Sequence, residues 1–140
     1  MIISTIKVNV WTSSTAGAGT NSSVSLGICG REFVLDTSGN DFEQGQEQSF
    51  VLGAGSNVLN AALNDPRKPQ LDTNELGYYP VYLHFNSLDA KDTWCVEGVT
   101  VLVNPSSSPL TYGNTAMLGG GDKELWMGAD AGKTLYLKKQ

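Results

Sequence analysis

The residues of this chain best equipped for chemistry are oxygen donors set in small-residue turns. "NDFEQGQ", Asn40 to Gln46, crowds an amide and two acids around an aromatic just before Gly45. "AGAGTN", Ala16 to Asn21, and "SLDAKDTW", Ser87 to Trp94, are two further loops of this kind. Oxygens from carboxylates, amides and backbone carbonyls are what a hard cation such as calcium takes, roughly six to eight at a time, and flexible loops supply them readily. Asn21, Asn40, Asp41, Glu43 and Asp92 can serve one cation only if the fold gathers the three loops at one place. Otherwise each is a solvated acidic turn.

Other chemistries find little support. The single histidine, His84, sits in an alternating strand on the face opposite its apolar neighbours, where it reads as a partly exposed sheet residue. No glycine-flanked serine forms a nucleophile turn, so a hydrolytic triad is not expected. One histidine and two distant cysteines, Cys29 and Cys95, do not make a zinc ligand set. "GGGDK" lacks the spacing of a phosphate-binding loop. The reading is therefore of a chain that is not an enzyme. A formal net charge of −5 with no basic stripe argues against nucleic acid as a partner and would repel anionic lipid unless a cation offsets it. No apolar run is long enough to span a bilayer as a helix, and no signal-like segment opens the chain.

The elements that must position these loops are strands. "TIKVNVW", Thr5 to Trp11, alternates Ile6, Val8 and Val10 with polar residues, and "VSLGICG", "REFVLDTSG", "EQSFVLG", "VYLHFNS" and "WCVEGVTVLVN" continue the two-residue period. A kink is expected at Gly98, and "LGGGDKELWMGADAGKTLYLKK" reads as a glycine turn followed by two short strands. About eight strands joined by turns predict an all-β sandwich or barrel forming a single domain over residues 1–140. Gly55 to Asp65 fits either a short helix or a strand and turn. Residues 64–80 hold three of the five prolines and form a surface excursion that cannot lie inside a sheet.

The ordered set of "GAGTN" after a strand ending in "VNVW", then "NDFEQGQEQSF", then "DTW" leading into "VEGVTVLVN" resembles the PLAT, or lipoxygenase-homology, family. The resemblance runs from Ile6 to Asn104 with one interruption. It implies an eight-stranded antiparallel β-sandwich of two four-stranded sheets and, as cofactor, calcium. Its ligands would be backbone carbonyls of Gly19 and Thr20, the side chains of Asn21, Asn40 and Asp41, and the carboxylates of Glu43 and Asp92. Two departures bear on affinity. Asn21 stands where the family has Asp, which removes a charged ligand and predicts weaker binding. Gln44 replaces a basic residue before Gly45. Asn21-Ser22-Ser23 is also a formal glycosylation sequon, but a glycan there would block the expected site.

Two functions follow. The first is a noncatalytic, calcium-dependent module that docks on membrane lipid or a lipid-associated protein and is secreted or peripheral to a membrane. The second is a protein-interaction domain, for example a subunit of a secreted toxin or a stress-related assembly, whose calcium site is structural or vestigial. Contact residues in either case are Trp11, Trp126 and the excursion's Leu71, Leu76, Tyr78 and Tyr79, although these last four are better suited to fold back over the sheet than to project. Trp94 is expected to pack in the core.

Overall fold

The computed structural model describes residues 1–114 and 124–140. Its strands are β1 (Thr5–Thr12), β2 (Ser23–Ile28), β3 (Arg31–Val34), β4 (Glu47–Gly53), β5 (Val81–Asn86), β6 (Thr93–Val103), β7 (Leu110–Gly113), β8 (Leu125–Gly128) and β9 (Thr134–Lys139). They pair antiparallel in the order β3-β2-β5-β9-β7-β6-β1-β4, with the short β8 lying alongside the start of β6. The all-β reading holds, with two refinements. Among the described residues there are nine strands, since β8 adds to the expected eight. The two four-stranded layers, β3-β2-β5-β9 and β7-β6-β1-β4, are one curled sheet, joined where Tyr112 and Gly113 of β7 face Lys139 and Lys138 of β9. The glycine turn expected before β8 lies outside the described residues.

Alternation explains the core. Ile6, Val8 and Val10 of β1, Val24, Leu26 and Ile28 of β2, Leu83 and Phe85 of β5, and Val99, Val101 and Val103 of β6 point inward and are buried. Near Gly98 the expected kink is a bulge: Trp11 faces Gly98 but Thr12 faces Val96, so Glu97 is the extra residue. The bulge restores the inward aim of Trp94 and Val96 beyond it. Trp94 is fully buried and its indole N–H donates to Thr12 Oγ1 at 3.0 Å. Cys29 and Cys95 are both buried and are not joined to each other.

The stretch from Gly55 to Asp65, which the sequence leaves open between a short helix and a strand and turn, holds a short helical turn only at its end. It is an irregular strap with one 3₁₀ turn, Ala61–Leu63, and it bonds to both β4 and β3, the strands at the two ends of the main sheet order. Asn57 covers β4: its side chain accepts from Val51 N and donates to Ser49 O, while its own N–H reaches Val51 O. Asn64 covers β3 by accepting from Val34 N at 2.7 Å. Four strand-edge groups, Ser49 O, Val51 N, Val51 O and Val34 N, are thereby satisfied within the chain.

The strand directions sort the connections into two ends. Residues 13–22, 35–46, 87–92 and 129–133 gather at one end, and the amino terminus, the strap, the 64–80 excursion and Asn104 at the other. In the excursion, Leu71 and Leu76 are buried in the core and offer nothing to a membrane or partner, because Asp72 caps the 3₁₀ turn Thr73–Gly77 and turns Leu76 inward. Tyr78 and Tyr79 project, 81% and 51% exposed.

Candidate functional site

The opening motif is anchored by its aromatic. Phe42 takes a left-handed backbone, φ 56°, unusual for a bulky residue, and burial supports it. Its ring packs 5.3 Å from those of Phe50 and Trp94. With Phe42 pointing in, its neighbour Glu43 points out. Gln46 holds the turn, accepting from Glu43 N and donating to Asn40 O.

The first loop is laid directly on this turn. Thr20 N donates to Phe42 O at 3.0 Å and Gly45 N to Ser13 O at 2.9 Å. Gly19 is required there, since a Cβ would sit 2.9 Å from Gln44 N and 3.1 Å from Phe42 O. Gln44, one of the two residues that depart from the motif pattern, staples the same loop: its side chain accepts from Gly17 N and donates to Ser14 O. Glu124 braces the loop's base, accepting from the hydroxyls of Ser13 and Thr15. These bonds hold the Glu124 carboxyl below the usual carboxylate range. Nothing in the spacing of Glu124 announces this role, because it depends on β8 lying beside β6.

The third loop arrives through Asp92. Asp89 makes a tight turn by accepting from Lys91 N and Asp92 N. Asp92 Oδ2 then accepts from Thr20 Oγ1 at 2.8 Å and from Ser22 Oγ. Among the described residues its Oδ1 accepts no hydrogen bond, and Glu43 and Asn21 make no side-chain hydrogen bond or ion pair. The two ion pairs given by the described residues, Met1 with Asp72 and Arg67 with Asp65, both lie at the opposite end.

Gly19, Thr20, Asn21, Glu43, Gln44 and Asp92 thus line one open cleft of about 330 Å³. Asn40 and Asp41 line a neighbouring hollow, which shares Thr20 and Asn21 with the cleft and adds Asp36 and Leu88. Asp41 is committed to its own loop: Oδ2 accepts from Thr37 N at 2.7 Å, and Oδ1 from Thr37 Oγ1 and Gln48 Nε2 at 2.6 Å each. Burial, and then the Asp41 carboxylate beside it, raises the Asp36 carboxyl above its ordinary value.

The cleft is lined by two carboxylates, Glu43 and Asp92, and the side-chain amide of Asn21, donor types that suit a hard cation and, with two charges, suit it weakly. No group of three His, Cys, Asp or Glu residues with metal-site geometry occurs among the described residues. Two residues the sequence did not single out adjoin the cleft: Ser22, which is buried, and Leu88, which is 74% exposed. Of the other sequence candidates, Trp126 is 37% exposed opposite Cys95, and Trp11 is half-buried with its ring over Gly98. His84 meets Thr134 Oγ1 at 3.2 Å on the outer face of β5, away from the cleft.

No protein-family model matches the chain, and no curated protein matches its sequence. Solved structures do match. The alpha-toxin of Clostridium absonum aligns over 98% of this chain and 32% of its own, at 22% identity and a TM-score of 0.61. The alpha-toxin from an avian strain of Clostridium perfringens aligns over 99% and 32%, at 17% identity and a TM-score of 0.63. Coral 8R-lipoxygenase, described as activated by calcium through a C2-like domain, aligns over 96% and 17%, at 18% identity and a TM-score of 0.59. The chain spans about a third of each toxin and about a sixth of the lipoxygenase. At such identities the likeness is one of fold, and the fold is that of a C2-like, PLAT-type β-sandwich.

Proposed function

We propose that this chain is a noncatalytic module that brings its cleft end to a lipid surface when calcium occupies the cleft. One observation carries the reading: two carboxylates without a cationic partner among the described residues, Glu43 and Asp92, open onto a cleft that adjoins an exposed apolar residue, Leu88. Asn21, Glu43, Asp92 and the carbonyls of Gly19 and Thr20 are the ligands proposed, with Asn40 and Asp41 shaping the turn beside them. Bound calcium would supply positive charge at an end that, among the described residues, otherwise carries Asp36, Asp41, Glu43, Asp89, Asp92, Glu124 and Asp130 against Lys91 and Lys133. Glu43 and Asp92 then cease to repel phosphate groups, and Leu88 can enter the interface, where apolar burial adds affinity. The small number of charged ligands suits the millimolar calcium of an extracellular or membrane-peripheral setting.

The test is sedimentation with liposomes of neutral and of anionic lipid, in calcium and in chelator. Binding that requires calcium and falls for Leu88→Ala and for Glu43→Ala with Asp92→Ala supports the reading. Equal binding, or none, in both conditions overturns it.

A second reading, contact with another protein through Tyr78 and Tyr79, rests on their exposure at the opposite end. It predicts a partner that is lost when both tyrosines become alanine and is indifferent to calcium.

A further inference from the structure

Ser22 occupies a position that neither the loop motifs nor the ligand set explains. It is buried although it belongs to the exposed loop end, and its hydroxyl has partners on both sides. Its proton is donated to Asp92 Oδ2, and it accepts the backbone N–H of Leu88 at 2.8 Å. A hydroxyl has one proton to give and lone pairs to accept with, so both bonds form at once. Thr20 is the contrasting case. Its hydroxyl donates to the same carboxylate oxygen at 2.8 Å but accepts from Ser22 N at 3.0 Å, and it has no bond to Leu88. Two hydroxyls therefore fix one oxygen of Asp92, which lines the cleft, and leave Oδ1 without a hydrogen bond among the described residues, while only one of them continues to the loop tip.

We propose that Ser22 is a positioning residue that couples occupancy of the cleft to the placement of Leu88. The inference rests on the cleft taking calcium, as proposed above. A cation held through Asp92 Oδ1 fixes the carboxylate further, which orders Ser22, which in turn holds the Leu88 backbone. A lipid surface that immobilises Leu88 acts back along the same bonds. The coupling is reciprocal, so lipid raises calcium affinity by the factor by which calcium raises lipid affinity. Charge neutralisation alone gives no special place to Ser22, because Ser22→Ala changes no charge.

The experiment reads the Leu88 amide directly, without lipid, and then the membrane. In the wild-type chain, calcium slows hydrogen exchange of the Leu88 amide about 10-fold. In Ser22→Ala that protection is lost, and the enhancement of liposome binding by calcium falls about 5-fold, a coupling of ordinary size. Thr20→Val is the control: calcium binding weakens, but at saturating calcium the Leu88 amide is still protected. Calcium titration by calorimetry accompanies each variant. Calcium binding in Ser22→Ala with Leu88 protection undiminished overturns the coupling and leaves the docking reading standing. Absence of calcium binding in the wild-type chain overturns both.

Discussion

The two ends of this sandwich use their polar residues in opposite ways. At the excursion end the principal polar side chains answer to the chain itself. Asn104, with φ 52°, accepts from Ser4 N at 2.9 Å and donates to Ile2 O at 2.8 Å, pinning the amino terminus. Gln70 donates to Ile3 O and Leu71 O, Asp65 grips Arg67 through both carboxylate oxygens, and Asp72 and Glu75 complete a capping box. At the cleft end the chain is held as firmly, through Gly19, Gln44, Phe42 and Glu124, yet among the described residues Asn21, Glu43 and one oxygen of Asp92 are left over. Unspent acceptors at a well-braced place are what a ligand site requires, whereas spent ones mark a place whose work is stability.

That contrast can be broken by mutation, and the largest effect belongs to the excursion end. Asn104→Ala removes a buried set of hydrogen bonds and puts a Cβ residue without Asn's tolerance at a left-handed position, a loss of about 3 kcal/mol in urea unfolding. Its calcium response stays as in the wild-type chain. Gly19→Ala comes next. The added methyl meets Gln44 N and Phe42 O, costs roughly 1–2 kcal/mol, and parts the two loops, so the thermal midpoint no longer responds to calcium. Glu43→Ala is smaller still in stability, within about 0.5 kcal/mol because the side chain is exposed and unbonded, yet it removes most of the calcium-induced shift. A Glu43→Ala chain whose calcium response is intact would erase the distinction drawn between the ends.

The smallest effect sharpens the comparison through pH. The hydrogen bond from Arg67 holds the Asp65 carboxyl below its ordinary value, against the opposing effect of burial. A depressed acid contributes stability that is fully present above its unfolded pKa, near 4, and is lost as pH falls through the folded value. The stability gap between wild type and Arg67→Ala should therefore be constant from about pH 5 to pH 8 and close below pH 4, as read by urea midpoints across that range. Calcium should leave this gap unchanged, since the pair sits at the far end.

How much of this was legible in the sequence depended on the reach of the interaction. Period-two alternation marked β1, β4 and β5 almost to the residue, because inward aim is a local property of the pleat. The prolines mark the excursion, but Leu71 is set inward by backbone bonds to Ile3 and Pro66 and Leu76 lies in the turn capped by Asp72, long-range and local details that composition does not separate from Tyr78 and Tyr79. The strap defeated local reasoning, because it is held by Asn57 and Asn64 reaching strand edges, not by a period of its own. At the site, Asn21, Glu43 and Asp92 were found as oxygen donors in loops, whereas Ser22 and Leu88 carry no compositional signal and acquire meaning only where β2 and the 87–92 turn meet. Asp41 looked like the other acids, and only its three hydrogen bonds separate it from them.

The strap has a further consequence for how copies of this chain coexist. β3 and β4, the two outermost strands, are where a second copy could add its own strand and start a chain of pairings. Asn57 consumes consecutive outward groups on β4, and Asn64 takes an outward amide on β3, both from one short segment. Copies concentrated side by side in two dimensions, as lipid-bound molecules are, meet edge to edge far more often than in free solution. If the proposed docking holds, these partly covered edges would let a lipid-bound population crowd and still separate again. A chain with Asn57 and Asn64 both changed to serine would be the one to watch for assembly that calcium chelation no longer reverses.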